Sequence, residues 1–407
     1  MKKFLKILFL PLLAINMVAA IGLVCCAYSP MLPAEQFPLL SLAGLAFPFV
    51  LAANALFLVL WLLIYPRYVV VPIVTGLICF AQIRAFFPIN LDRQRPPKKS
   101  LKVLSYNILS TNITAANANE DNAIINYLEE SDADIVCLQE FQFATLKKRK
   151  KLLDVYPYKS YLVSNDSESA SRYLGCLSKY PILSVERLDI ESASNGCSKY
   201  RILHEGDTIV VYNCHLQSNG LSDTHKSTYE QLLSNPKGNL RSEETKELVK
   251  KLRDSAAKRA NQTEIIMADL KKETSPYVVV CGDFNDSPVS YVCKQLKEHL
   301  DDAYVSSGNG PGISYNRNKL YYRIDHILHS PRLKAYDCTV DRTIKVSDHY
   351  PIFCFLEKKI GQQKAEDFTP CSDRNFCFGL SRGPSSPSHR YDCTPRRSNS
   401  CPIGRGQ

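Results

Sequence analysis

Long apolar runs fill the start of the chain and give way after residue 100 to short ones that end in polar residues. Residues 4–27 are almost wholly apolar behind Lys2, Lys3 and Lys6. Apolar stretches over 37–65 and 69–83 follow, parted by a turn at Pro66-Arg67. A helix that crosses a bilayer needs about 20 apolar residues, with ~17 as the lower limit. The third stretch meets that only if Arg84 snorkels and Ala85, Phe86 and Phe87 are counted. The pattern predicts a membrane region over 1–90 with about three transmembrane helices, a multi-pass membrane location. Under the positive-inside tendency Lys2, Lys3, Lys6 and Arg67 lie in the cytoplasm, and three crossings place the catalytic part outside it. The basic stretch Arg84, Arg93, Arg95, Lys98 and Lys99 opposes that orientation. LDRQRPPKKS at 91–100 reads as a linker, because Pro-Pro and its charged neighbours cannot continue a buried helix.

After the linker the apolar runs are LKVLSYNI at 101, ADIVCLQE at 133, YLGCLSKYPI at 173, DTIVVYNCHLQS at 207, YVVVCGDFND at 277, YRIDHILHS at 322 and VSDHYPIFCFLE at 346. Runs of this length predict buried strands whose C-terminal ends carry a site. Helical spacing between them, notably over 121–130 and 242–272, makes residues 101–358 one mixed α/β domain. Residues 359–407 have no sustained apolar period and are rich in Ser, Pro, Arg, Gly and Cys, which predicts a disordered tail. Cys371, Cys377, Cys393 and Cys401 in that tail form no CxxC pair, so they do not read as a zinc site.

Charge separates these regions further. Lys+Arg against Asp+Glu is 9 to 2 before residue 101, 33 to 34 over 101–358 and 8 to 4 afterwards. The net charge of +10 therefore lies in the flanks, whereas a domain built to bind duplex DNA usually carries a basic excess of its own. Fifteen cysteines in a chain of 407 residues do not make a disulfide scaffold, which belongs to short secreted chains. Most lie in apolar runs as small buried hydrophobes. Cys176 and Cys197 could pair if the domain faces an oxidising compartment.

The chemistry gathers at the strand ends. Glu140 closes an otherwise buried strand, where a carboxylate is costly unless it meets a cation or a hydrogen-bond network. Mg²⁺, or Mn²⁺, suits a site made mainly of Asp, Glu and Asn oxygens, and Asn107 and Asp348 could help to place that ion or a second one. Zinc would want Cys or His at tight spacing. A serine hydrolase would want a G-x-S-x-G elbow, which is missing.

Six motifs, SYN at 105, QE at 139, HLQS at 215, GDFN at 282, RIDHI at 323 and SDH at 347, stand in an order and spacing that resembles the endonuclease/exonuclease/phosphatase superfamily. The resemblance covers essentially all of 101–358. It implies a four-layer α/β sandwich, two packed mixed sheets flanked by helices, and a hydrolase acting on phosphate esters. It further implies that Asp283 orients or deprotonates the attacking water, that His349 contacts the scissile phosphate and that Asp325 fixes the His349 tautomer. His215 resembles a family position that donates to phosphate oxygens. Asn285, two residues beyond Asp283, shares its strand face by the period of two, and its amide can donate to the phosphate. Arg172 and Arg323 could attract an anionic substrate. His326 follows Asp325 on the opposite face and reads as structural; Asp286 and His329 carry no firm role.

Two functional classes remain. The first is a membrane-anchored phosphoesterase acting on a lipid head group, a small phosphate ester or, as a nuclease, DNA or RNA. The second is a catalytically inactive binding module on the same fold, which would be expected to have lost a carboxylate or the SDH histidine; all are present. No obligate protein partner is implied.

Overall fold

The N-terminal helices expose apolar side chains and bury a few polar ones, Asn16, Asn54 and Thr75 among them. The computed structural model describes residues 2–32, 36–92, 94–109, 118–141, 150–163, 173–190, 192, 195–234, 242–315, 317 and 321–359. Helix α1 (Lys2–Tyr28) is followed by a short α2 (Pro38–Ser41) and by α3 (Ala43–Ile64). Trp61 donates to Asn16 Oδ1 at 2.9 Å and Asn54 to the Ala19 carbonyl at 3.0 Å, both between α1 and α3. Meanwhile Leu56, Val18 and Leu63 stand 71, 71 and 80% exposed. Water would not tolerate such a surface on this scale; hydrocarbon would, with the polar groups satisfied between helices. Two segments, Phe9–Met31 and Leu39–Ile64, are long and apolar enough to cross a membrane.

The third apolar run departs from the expected helix. It breaks into α4 (Val70–Ile78) and α5 (Phe80–Phe86), and Pro66–Ile78 meets Phe80–Phe86 at a bend of 69°. Arg84 donates to Asn90 Oδ1 at 3.1 Å and the Val305 carbonyl at 3.4 Å, so α5 is held against the residues beyond the linker.

Two-residue alternation builds the rest. One sheet contains β1 (Leu101–Asn107), β2 (Ile135–Phe141), β3 (Tyr158–Val163), β4 (Tyr173–Ser178), β11 (Leu333–Val340) and β12 (Ile352–Lys358), in the order β11-β12-β1-β2-β4-β3. The other contains β5 (Ile182–Arg187), β6 (Gly196–His204), β7 (Asp207–His215), β8 (Tyr277–Asp283), β9 (Asp301–Asp302) and β10 (Asp325–His329), in the order β5-β6-β7-β8-β10-β9. Both are mixed: β1 runs parallel to β2 and β7 to β8, and the remaining neighbours are antiparallel. Odd-numbered residues of the central strands, among them Val103, Ile135, Val211, Val279 and Ile327, meet between the sheets.

In β1, β2, β7, β8 and β10 the even-numbered residues face outward to helices. Ile125 of α6 (Ala118–Glu130) and Leu152 of α7 (Lys150–Val155) cover Leu104 and Tyr106. On the other side α8 (Asp223–Ser234) packs on α9 (Glu243–Leu270). Ile266 of α9 and Val292 of α10 (Tyr291–Leu296) cover Val210 and Val280. A last short helix, α11 (Ala303–Ser307), leads towards β10. The layers are helix, sheet, sheet, helix, the four-layer sandwich.

The N-terminal helices dock on this sandwich. Val289, just before α10, inserts among Leu23, Cys26, Phe47 and Cys79. A side chain at Gly44 would strike the Val289 carbonyl, so only glycine allows the approach.

Glu273 fastens α9 to the second sheet. Its buried carboxylate contacts Arg201 at 2.7 Å and Lys199 at 3.0 Å and accepts the Thr274 and Ser275 amides at 3.0 Å. Burial alone would raise its pKa, but these donors hold it down at about 2. A depressed carboxylate stabilises above its unfolded pKa of about 4.5 and loses that contribution as pH falls towards 2. Glu273→Gln should therefore cost about 3 kcal/mol at neutral pH. Thermal unfolding of the full chain in detergent should show this as a lower midpoint, with the gap to the parent shrinking below pH 4.5. A gap independent of pH would refute the assignment.

Candidate active site

The inner faces of four strands turn from apolar to polar at one end of the sandwich. Continuing the same parity, β1 places Ser105 and Asn107 there, β2 Gln139, β7 Asn213 and His215, β8 Asp283. β10 starts at that end with Asp325. A first polar tier ties the sheets together. Gln139 donates to Asn213 Oδ1 at 2.7 Å and Ser105 Oγ at 3.1 Å, and Asn213 donates to the carbonyls of Leu138 and Gly175, both at 3.0 Å. These bonds satisfy buried amides and fix the spacing of the strands that carry the reactive groups.

Asp283 sits at the centre. It pairs across the second sheet with both His215 and Asp325. Its Oδ2 accepts the Asn107 amide at 3.0 Å and its Oδ1 the Asn285 backbone N–H at 2.8 Å. Burial pushes its pKa up to about 6 against the opposing charge of His349 and His215. Gly282 precedes it at φ +136°, where a Cβ would strike the Cys214 carbonyl, so a glycine is needed where β8 runs beside β7.

His349 Nδ1 lies 2.8 Å from Asp325 Oδ2, and its Nε2 lies 3.6 Å from Asp283 Oδ2. Burial alone would lower the imidazole pKa. The charges of Asp325 and Asp283 and the bond to Asp325 outweigh it and push the ring up to about 10. The loop carrying it is latched to β1 through Ser347, whose hydroxyl donates to the Asn107 carbonyl at 2.8 Å and accepts the His349 N–H at 3.1 Å. His215 Nε2 stands 3.7 Å from Asp283 and 3.8 Å from Glu140.

Glu140 reaches this point by a break in the alternation. Simple parity would send it outward with Val136 and Leu138. Instead it takes φ +52°, the β2–β4 register shifts between Leu138 and Phe141, and Phe141 joins the outward cluster. The bulge turns the carboxylate into the site.

Asn285 differs from the expected strand position. β8 ends at Asp283, Asn285 has φ +52°, and its amide donates to the Leu216 carbonyl at 3.0 Å. It still lines the same cavity of about 500 Å³ as Glu140, His215, Asp283, Asp348 and His349. Arg323 stands apart from it: the buried guanidinium donates to the carbonyls of Ala85 and Pro311 and lies 4.3 Å from the Tyr304 ring centre. It ties α5 to the sandwich and does not line the cavity. Arg172 and the tail cysteines lie outside the described residues. His326 faces outward, stacks on Phe284 and is pushed down to about 4 by burial. His329 lies at the far end of β10, and Asp286 is paired with Arg259 at 3.1 Å.

Cys176 and Cys197 do not pair. Cys176 belongs to the inter-sheet layer and Cys197 to the helix-facing side of the second sheet, where its sulfur is 3.2 Å from that of Cys214. Ser314 and Tyr315 carried no motif and were not anticipated. The Ser314 hydroxyl accepts the Asp325 N–H at 3.1 Å, and the Tyr315 ring meets His349 edge-on, 5.1 Å between centres.

The sequence model described as the Endonuclease/Exonuclease/phosphatase family matches residues 104–349. The chain belongs to that family. A second model, a domain of unknown function (DUF8431), matches residues 5–86. No curated protein matches the chain. Solved structures similar to it include D. rerio TDP2 complexed with a single-strand DNA product, 18% identical over 64% of this chain and 100% of that one, with TM-score 0.48. A Bacteroides thetaiotaomicron protein of the endonuclease/exonuclease/phosphatase family is 17% identical over 65% and 98%, with TM-score 0.45. A mannosyl-6-phosphatase from Bacteroides thetaiotaomicron is 18% identical over 63% and 100%, with TM-score 0.44.

Members of the endonuclease/exonuclease/phosphatase family are hydrolases of phosphate esters and generally use divalent metal ions. The site chemistry fits such an ion. Asp283, Asp325 and His349 each offer a ligand atom, all within 4.8 Å of one another, and Glu140 and Asp348 line the same cavity. Asp325 Oδ1 is buried with no hydrogen-bond partner. Four carboxylates facing two histidines leave an excess of negative charge that a hard divalent cation would offset.

Proposed function

We propose that this protein is a membrane-anchored, divalent-metal-dependent phosphoesterase that splits a phosphodiester or phosphomonoester by attack of water. The observation that carries this reading is the convergence of Asp283, the Asp325–His349 pair, His215 and Glu140 on one buried strand-end cleft. In it Asp283, oriented by Asn107 and held near neutrality in its titration, takes the proton of the attacking water. As the water oxygen bonds to phosphorus the ester P–O bond breaks. His349, kept protonated on Asp325, donates from Nε2 to the phosphate oxygens, and His215 donates from the opposite side. The second amide hydrogen of Asn285 is free to add a further donor. Glu140, with Asn107 and Asp348, would hold Mg²⁺ or Mn²⁺, leaving Asp283, Asp325 and His349, whose ligand atoms also lie within 4.8 Å of one another, to the proton work, since a protonated His349 cannot ligate. When bound, the ion neutralises phosphate charge and assists the leaving oxygen.

Two apolar helices long enough to cross a bilayer support the membrane anchor; with the bent third run as a further crossing, the positive-inside tendency favours a catalytic part outside the cytoplasm. The same chemistry would serve a nuclease, but the balance of 33 basic to 34 acidic residues over 101–358 disfavours duplex DNA. The test is hydrolysis by the full chain in nanodiscs, with Mg²⁺, of a panel of small phosphate esters, phospholipids and nucleic acids. Turnover of one ester class is expected, with weak retention on duplex DNA at about 0.15 M salt. Tight duplex binding and DNA cleavage would make the nuclease reading correct, and inertness towards the whole panel would leave the binding module.

A further inference from the structure

The sandwich alone does not enclose the catalytic cavity. One wall is Leu42, directly after α2, with Leu45, Ala46 and Phe49 in the first two turns of α3. Facing them, Leu248 and Leu252 of α9 complete an apolar stretch that ends at Asp283 and His349. The cavity, about 500 Å³, thus has a polar floor and apolar sides, and its size is usual for a small-molecule site. The α3 wall is fixed in place: Tyr322 donates to the Leu45 carbonyl at 3.4 Å, and Gly44 abuts Val289. Phe49, 52% exposed, stands where this wall passes into the part of α3 whose Leu56, Val59 and Leu62 lie bare. α3 belongs to one of the two segments apolar enough to cross a membrane. A continuous apolar path therefore leads from a membrane helix to the catalytic groups.

Resting on the phosphoesterase reading, we propose that the substrate is an amphiphile of the bilayer: a phosphate ester whose phosphate lies at Asp283 and His349 and whose apolar chain lies along α3 and α9. A sugar phosphate or a nucleic acid strand would leave Leu45, Leu248 and Phe49 in contact with water or with polar groups, and neither explains why a membrane helix forms the wall. An alkyl chain buries against them.

The test uses the full chain in nanodiscs hydrolysing bis(p-nitrophenyl) phosphate with Mg²⁺, inhibited by ethyl phosphate or octyl phosphate below its micelle concentration. Burial of each methylene is worth roughly a factor of four in affinity. Octyl phosphate should therefore inhibit at least about 100-fold more tightly than ethyl phosphate. Phe49→Ala, and separately Ala46→Glu, should cut that advantage, taken as the ratio of the two inhibition constants within each variant, below about tenfold. Equal inhibition by the two esters overturns the inference and leaves the phosphoesterase reading intact. An octyl advantage that survives both variants reflects partition into the bilayer and also overturns it. No hydrolysis, with either Mg²⁺ or Mn²⁺, of this diester, of p-nitrophenyl phosphate or of any member of the panel removes the phosphoesterase reading itself, and the inference with it.

Discussion

His349→Ala should lower kcat by about 10²–10⁴-fold, the usual loss for a positioned proton donor, without unfolding the domain. The expectation rests on geometry: one ring nitrogen is engaged by Asp325 at 2.8 Å while the other faces Asp283 at 3.6 Å across the cleft. Asp325→Asn should do part of the same damage, because an amide can touch the imidazole but neither selects the productive tautomer nor stabilises the charged ring. The two losses should be strongly non-additive in the double variant, since without the histidine the aspartate has nothing to orient. Steady-state kinetics on the ester found in the panel decides the matter. Additive losses, or parental turnover in His349→Ala, would return the SDH loop to a purely structural role.

The second large effect concerns Glu140. Excess chelator should abolish turnover, and Mg²⁺ or Mn²⁺ should restore it. Glu140→Gln should raise the metal concentration needed for half-maximal activity by at least the 10–100-fold typical when groups that support a metal are lost. Glu140→Gly offers a sharper control. It removes the carboxylate but also the cost of holding a non-glycine residue at φ +52°, so activity should fall while the unfolding midpoint holds or rises. Full turnover in chelator would end the metal-dependent reading.

Asp283, His215 and Asp325 were legible through the motifs that resemble the family, and a period of two agrees with the first of them: with Val279 and Cys281 facing inward, so does Asp283. Where backbone irregularity intervenes, the same rule misleads. It would turn Glu140 outward but for the bulge, and it runs Asn285 along a strand that has already ended. Arg323 was misread for another reason. Charge alone does not tell an anion ligand from a donor to backbone carbonyls, and its acceptor at Ala85 is 238 positions away. Cys176 and Cys197 looked able to pair until the layers were assigned, after which they face different cores. The α3 wall of the cavity was likewise beyond any pattern within the chain, since its apolar residues satisfy the requirement for a membrane helix equally well with or without a neighbour.

The close approach of Gly44 to Val289 bears on how this protein can be cut or recombined. If the N-terminal helices were only a tether, they could be exchanged for any other anchor or removed without penalty. Here a glycine on one side of the linker is fitted to a backbone carbonyl 245 positions later, between Gly44 and Val289. A chimaera carrying a foreign anchor would meet that carbonyl with a side chain, and a soluble fragment would expose Val289 and open one side of its cavity. The two halves are therefore to be inherited and engineered as a matched pair, and kinetics of a truncated enzyme would describe a differently shaped pocket.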